Sequence, residues 1–160
     1  GKEKFIQARG TLGSSWGINR TMAQVHALLL IVPDSLSAED IMEELNISRG
    51  NANMNIRALM DWGLVSKELK PGERKEFFSA EKDIWKVATQ VVKERRKREL
   101  EPVLKILNEI SNIEGDKRIK AFTDSISQIN NVVSKADKTL ETFIKADENW
   151  FVSSFMKLMK

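Results

Sequence analysis

The sequence contains no cysteine, which excludes disulfides and thiolate metal sites. It holds a single histidine, His26, so a catalytic triad or a histidine-based metal centre lacks its partners. His26 falls in an apolar segment and is expected to be a packed residue. No glycine-rich phosphate loop occurs. The carboxylate pairs Glu39-Asp40 and Glu43-Glu44 sit where a helix starts or on an exposed face, as acids do that favour the helix dipole. An enzyme is therefore not expected, and neither a cofactor nor a metal is implied. Long apolar runs are also missing. The longest, Ala27 to Pro33 (ALLLIVP), is far short of the ~20 residues that span a bilayer. The start, GKEKFIQARG, lacks the apolar stretch of a signal peptide. No membrane partner and a reducing cytoplasmic location are the expectations. No internal repeat or low-complexity segment is found.

What is present is an ordinary globular composition, 41% apolar and 31% charged over 160 residues. The net charge of +3 is unevenly spread. Residues 1–63 carry 6 Lys/Arg against 7 Asp/Glu, residues 64–100 carry 11 against 7, and residues 101–160 carry 9 against 9. The basic excess thus sits in one middle segment. A local basic patch is the electrostatic footprint of nucleic-acid binding, although a solvated basic face gives the same count.

Periodicity and capping residues predict the elements. A short helix over about 4–12 ends near Gly13. Asn19 or Thr21 caps a helix of roughly 20–32, stopped by Pro33. Ser37 and Asp40 make a capping box for a helix over about 38–45. Asn46 suits the left-handed residue of a tight turn, and Ser48 caps the next helix, of about 14 residues. Ala52, Ile56 and Leu59 define its buried face. Gly63 terminates it. Leu64, Val65 and Leu69 suit a strand, Pro71-Gly72 a turn, and Glu76 to Ser79 a returning strand. The fold class is mainly α: a winged helix-turn-helix with a small β-hairpin wing, plus long C-terminal dimerisation helices. The domains expected are an N-terminal helix over 1–18 able to add to a dimer contact, the winged helix-turn-helix over 19–81, and a helical dimerisation arm over 82–160.

The helix opened by Ser48 carries the chemistry. It reads SRGNANMNIRAL, with Asn51, Asn53 and Asn55 among Arg49, Gly50, Met54 and Arg57. Asn is a mediocre helix former, and a merely soluble surface would use Glu, Lys and Ala. Side-chain amides and guanidiniums pair bidentately with base edges, Asn with adenine and Arg with guanine. Gly50 keeps the backbone thin for close approach to phosphate. Met54 offers an apolar contact to a thymine methyl. A polar surface helix with incidental asparagines is the bland alternative. In the following hairpin, KELKPGERKEFF, Lys70, Arg74 and Lys75 stand where a wing tip reaches phosphate or the minor groove.

The run KERRKREL, Lys93 to Leu100, has five basic residues in six positions. On a helix they point around most of the circumference. Ion pairs with Glu94 and Glu99 compete with phosphate contact there. A long helix is predicted over 82–110 with a kink at Pro102, another over 117–133, and a last one over about 136–159. The last shows Leu140, Phe143, Ile144, Trp150, Phe151, Phe155 and Leu158, and these are the candidate dimer-interface residues. Long amphipathic helices outside a small domain must bury their apolar face, and a second copy of the arm is the simplest cover. Trp16, Trp62, Trp85 and Trp150 with seven Phe could line an aromatic cage for a quaternary amine, but core packing is the commoner use.

Three stretches carry a family likeness: GINRTMAQVHALLLI, LSAEDIMEELNISRGNANMNIRALMDWGLV and KPGERKEFFSAEKDIWKVATQVVKERRKRELEPV. Over roughly residues 10–110 the chain resembles the GbsR-type branch of the MarR superfamily of winged-helix transcriptional regulators. The resemblance implies a homodimeric regulator bound to a palindromic operator in double-stranded DNA, with helices outside the winged core forming the dimer interface; repression is the expected sense of regulation, which no residue of the sequence fixes. Some such regulators answer to small molecules, choline among them, so an effector is a candidate partner. No ligand motif can be matched position by position. The competing reading is a winged helix used as a protein-interaction module. The asparagine face argues against it, because protein-binding surfaces favour aromatics and Met.

Overall fold

The computed structural model describes residues 1–15, 17–111 and 117–146. Helix α1 (Lys2–Ser15) packs on α2 (Arg20–Ile31) through small residues. A Cβ at Gly13 would come within 2.6 Å of the Ala23 Cβ, and one at Gly10 within 2.8 Å of the Gln24 side chain. The two glycines therefore set the closeness of the helix pair, and Ile6 completes the buried stripe of α1. Asn19 caps α2, accepting from the Thr21 and Met22 N–H groups at 2.8 and 3.2 Å. Val25, Ala27, Leu28 and Leu29 of α2 are fully buried, which makes α2 the centre of the core.

Helix α3 (Ala38–Leu45) opens with the predicted box. The Ser37 hydroxyl accepts from the Asp40 N–H at 3.2 Å, and the Asp40 carboxylate accepts from the Ser37 N–H at 2.8 Å. It ends at Asn46 in the left-handed region, φ 51°. Helix α4 (Arg49–Asp61) starts two residues after that turn, with Ser48 accepting from the Asn51 N–H. Ala52, Ile56 and Leu59 are buried, as the spacing predicts. Gly63 terminates it at φ 68°.

Strands β2 (Val65–Leu69) and β3 (Glu76–Ala80) form an antiparallel hairpin running from Val65 opposite Ala80 to Leu69 opposite Glu76. Gly72, φ 83°, turns its tip. The sequence gives no sign of β1 (Leu36–Ser37), which pairs antiparallel with β3 to complete a three-stranded sheet in the order β1-β3-β2. Lys82, just past the sheet, donates to the carbonyls of Leu29, Leu30 and Val32. It thus caps the carbonyl end of α2, where a helix leaves acceptors unpaired. His26 is 4% exposed, a packed residue as expected.

The chain divides into two compact units, one of residues 1–87 and one beginning at Ala88. Helix α5 (Ile84–Arg95) starts at Asp83, whose carboxylate accepts from the Trp85 and Lys86 N–H groups. It runs into a π turn, Arg96–Leu100, and then α6 (Glu101–Ser111). The irregularity expected at Pro102 appears as a change of hydrogen-bond register just before it. The Glu101 N–H reaches back five residues to the Arg96 carbonyl, and Pro102 then falls in the first turn of α6, where its missing N–H costs nothing. Helix α7 (Lys117–Lys145) is continuous. The expected division between 133 and 136 is absent, because Ser134 and Lys135 are tolerated inside a helix and the Ser134 hydroxyl reaches Asn130.

In the second unit, Arg96 makes a two-pronged ion pair with Asp137, 3.0 Å for its Nη2–Oδ2 arm, and Asn130 donates to Asn108 at 2.8 Å. These contacts make α6 and α7 antiparallel. Within the basic run, Arg98 pairs with Glu94 and Arg95 with Glu99. Among the described residues, three of its five cations are thus engaged in ion pairs.

Candidate nucleic-acid interface

The exposed side of α4 carries Arg49, Gly50, Asn53, Met54, Arg57 and Asp61. The burial of Ala52, Ile56 and Leu59 holds that rotation of the helix. Successive residues turn by ~100°, so Gly50, Asn53, Met54 and Arg57 form one stripe and Asn51 borders it. Met54 is 57% exposed. A Cβ on Gly50 would meet nothing within 4 Å. Nothing among the described residues requires glycine there, although glycine in a helix costs about 1 kcal/mol relative to Ala.

Asn55 departs from the expectation. It is 2% exposed and does not lie on the outer face. It is three residues from Ala52 and four from Leu59, which puts it on the core side of the helix. Its Nδ2 donates to the Asn51 backbone carbonyl at 2.8 Å and to the Asn51 Oδ1 at 2.7 Å. Its amide is thus turned away from the outer face and held against Asn51.

Arg49 at the start of α4 pairs with Glu39 of α3 at 3.2 Å, a contact not foreseen. Among the described residues no ion pair involves Arg57, Arg74 or Lys75. The wing holds its shape through Lys67–Glu76 at 2.9 Å and through Lys70, whose ammonium lies 4.1 Å from the centre of the Phe77 ring. Arg74 and Lys75 occupy the exposed tip. The Ser37 hydroxyl and then the Ser37 N–H, by hydrogen bonding, hold the Asp40 carboxyl below its ordinary range, and the charges of Lys75 and Lys70 add to the effect. The basic wing thus sits within electrostatic reach of the start of α3.

Of the candidate dimer residues, Leu140, Phe143 and Ile144 are half-buried on α7. Trp150, Phe151, Phe155 and Leu158 lie outside the described residues, as does Trp16. Trp62 and Trp85 are half-buried. Among the described residues no helix is long and apolar enough to cross a membrane, and no cluster of metal-ligating side chains occurs.

A helix-turn-helix joined to a three-stranded sheet with a hairpin wing defines the winged-helix class. Within that class, residues 16–76 match the family model described as MarR family. The chain is 28% identical over 86 residues to the HTH-type transcriptional repressor GbsR of Bacillus subtilis (strain 168). That match covers 54% of this chain and 47% of the relative, so the chain spans about half the length of the curated relative it matches. Residues 16–76 fall within the span, roughly 10–110, over which the three quoted stretches carry their family likeness. A crystal structure of a transcriptional regulator superposes with a TM-score of 0.69 at 14% identity, covering 89% of this chain and 95% of that one. This shows the shared fold.

Proposed function

We propose that the chain is a MarR-type transcriptional regulator that binds double-stranded DNA sequence-specifically, acting as a homodimeric repressor on a palindromic operator. The observation that carries the reading is the outer stripe of α4. It presents an amide, a thioether, a guanidinium and a glycine that the fold itself does not need, and a basic wing tip follows it in the chain. A glycine without an internal reason suits a helix end that comes close to a phosphate backbone. In this reading α4 enters the major groove, Arg49, Asn51, Asn53 and Met54 meet base edges, and Ser48 and Arg57 lie beside the backbone. Lys70, Arg74 and Lys75 serve phosphate contact from the wing. The helices of the second unit supply the interface between copies. A small-molecule effector would act on the population of the DNA-competent dimer.

The test is selection of bound duplexes from random DNA, followed by titration of the enriched sequence. Two inverted half-sites about one helical turn apart are expected. An unenriched pool, with affinity independent of sequence, overturns the proposal. Repeating the titration with quaternary amines and other small metabolites tests for an effector.

A further inference from the structure

The buried Asn55 and the half-buried Asn51 form one hydrogen-bonded unit. The Asn55 amide nitrogen has two hydrogens and both are placed: one on the Asn51 main-chain carbonyl at 2.8 Å, the other on the Asn51 Oδ1 at 2.7 Å. The main-chain acceptor cannot become a donor, so it fixes which end of the Asn55 amide points at Asn51. That in turn fixes the Asn51 side chain. Its oxygen must face Asn55, because turning the amide over would set an NH2 group against an NH2 group. The Asn51 N–H is itself held by the Ser48 hydroxyl at 3.3 Å, which ties the same residue to the helix cap.

We infer that Asn55 is a positioning residue that locks the Asn51 amide with its oxygen inward, so that Asn51 reads DNA as a hydrogen-bond donor through Nδ2. This rests on the reading of α4 as the base-contacting helix and makes it more specific. Free Asn pairs with adenine through both ends of its amide, accepting from N6 and donating to N7. Here the oxygen is turned inward onto Asn55, with one of its two lone pairs accepting there, and the groove is offered the Nδ2 hydrogens. A donor pair is satisfied by a purine N7, by guanine O6 or by thymine O4, and finds no acceptor on the major-groove edge of cytosine. Asn51 therefore selects against cytosine and favours an acceptor-bearing base, guanine offering two acceptors side by side. The buried position of Asn55 has the same explanation: it acts on sequence choice without touching DNA.

The experiment uses the full chain and the sequence enriched by wild type from random DNA. Selection is repeated with Asn51→Ala, Asn51→Asp and Asn55→Ala, after circular dichroism has shown each folded. The position at which Asn51→Ala relaxes preference is then tested with 7-deazapurines or, if it is thymine, with an analogue lacking O4. Wild type should lose about fivefold to tenfold in affinity on removal of that acceptor, and Asn51→Ala should lose nothing further. Asn51→Asp, which keeps the shape without the donor, should lose the same preference and admit cytosine. Asn55→Ala should relax that position and no other, and add nothing when combined with Asn51→Ala. A wild-type motif indifferent to the missing acceptor overturns the donor reading while leaving sequence-specific binding intact. An unchanged profile for Asn55→Ala overturns the positioning role. If wild type enriches no motif at all, the regulator reading falls first and this inference with it.

Discussion

On α4 the three asparagines differ in what surrounds their amides. Asn53 is exposed and lies in the middle of the outer stripe, Asn51 borders it, and Asn55 is enclosed. In the proposed complex Asn53→Ala should change preference at particular operator positions by about 1–3 kcal/mol. Arg57→Ala should weaken all sequences alike, as loss of a phosphate contact does. Both should fold normally, since Ala favours a helix over Asn and neither side chain is in the core. Titration of each variant against a panel of single-base operator changes separates the two behaviours; identical profiles would place Arg57 on a base. A second residue answers to pH. Among the described residues the His26 Nε2 has no hydrogen-bond partner, and burial first, then the charge of Arg9, lowers its pKa from 6.5 to about 4. The folded chain thus holds it neutral where the unfolded chain protonates it. Its contribution to stability is fully present above pH 6.5 and is lost as pH falls to about 4, in total about 3 kcal/mol. Asp40, with its pKa lowered from 3.8, acts only below that window. Urea unfolding of wild type should weaken between pH 6.5 and 4, and His26→Leu should be flatter across the same range. Equal slopes would show that His26 is not the group responsible.

At the scale of the elements, the wing is the part whose role can be varied without touching the core. Arg74 and Lys75 lie on the exposed tip beyond the last paired residues, Leu69 and Glu76. Changing both to Ala leaves the ladder in place. Each phosphate contact releases about one condensed counterion, so the slope of log affinity against log salt should fall by about two, with base preference unchanged. Unaltered affinity and slope would remove the wing from the interface. The helix ends were legible in the sequence because each depends on bonds within a few residues: Asn19 at α2, Ser37 with Asp40 at α3, Asn46 at its end, Ser48 at α4. The elements that were not legible depend on distant partners. β1 is two residues long, has no period, and exists by pairing with β3 some forty positions later. The Lys82 cap on α2 is a contact across fifty residues or more. The π turn is a shift in hydrogen-bond register that no single residue type marks. At Asn55 polarity and spacing point in opposite directions, and spacing decides. Its distance from Ala52 and Leu59 puts it inward, and a single buried hydrogen-bonded amide is compatible with that side. The composition of the outer stripe could be read; which of its amides were already engaged could not.

For the molecule as a whole, the described residues of the second unit include exposed apolar side chains on both α6 and α7. Val103 and Ile106 of α6 are 44% and 55% exposed, and Phe122, Ile129 and Val132 of α7 are 54%, 49% and 67% exposed. Counting ~100° per residue from the buried Leu107 on α6, and from the half-buried Ile126 on α7, these side chains fall to one side of each helix. In an antiparallel pair the two sides form a single face. A row of large apolar groups at helical spacing is costly in water, and a two-fold copy of the same face would cover it. The same two-fold axis would relate two copies of α4 and so two inverted half-sites. In the proposed dimer, Ile129→Glu with Val132→Glu places two charges on that face while removing no buried side chain from the single chain. The double variant should therefore keep its helical circular dichroism and sediment as a monomer where wild type sediments as a dimer. Its affinity for the full operator should drop much further than its affinity for an isolated half-site, because only the full site depends on both copies binding together. A double variant that still sediments as a dimer would move the interface away from α6 and α7, with the exposed Phe5 and Leu12 of α1 the next surface to vary.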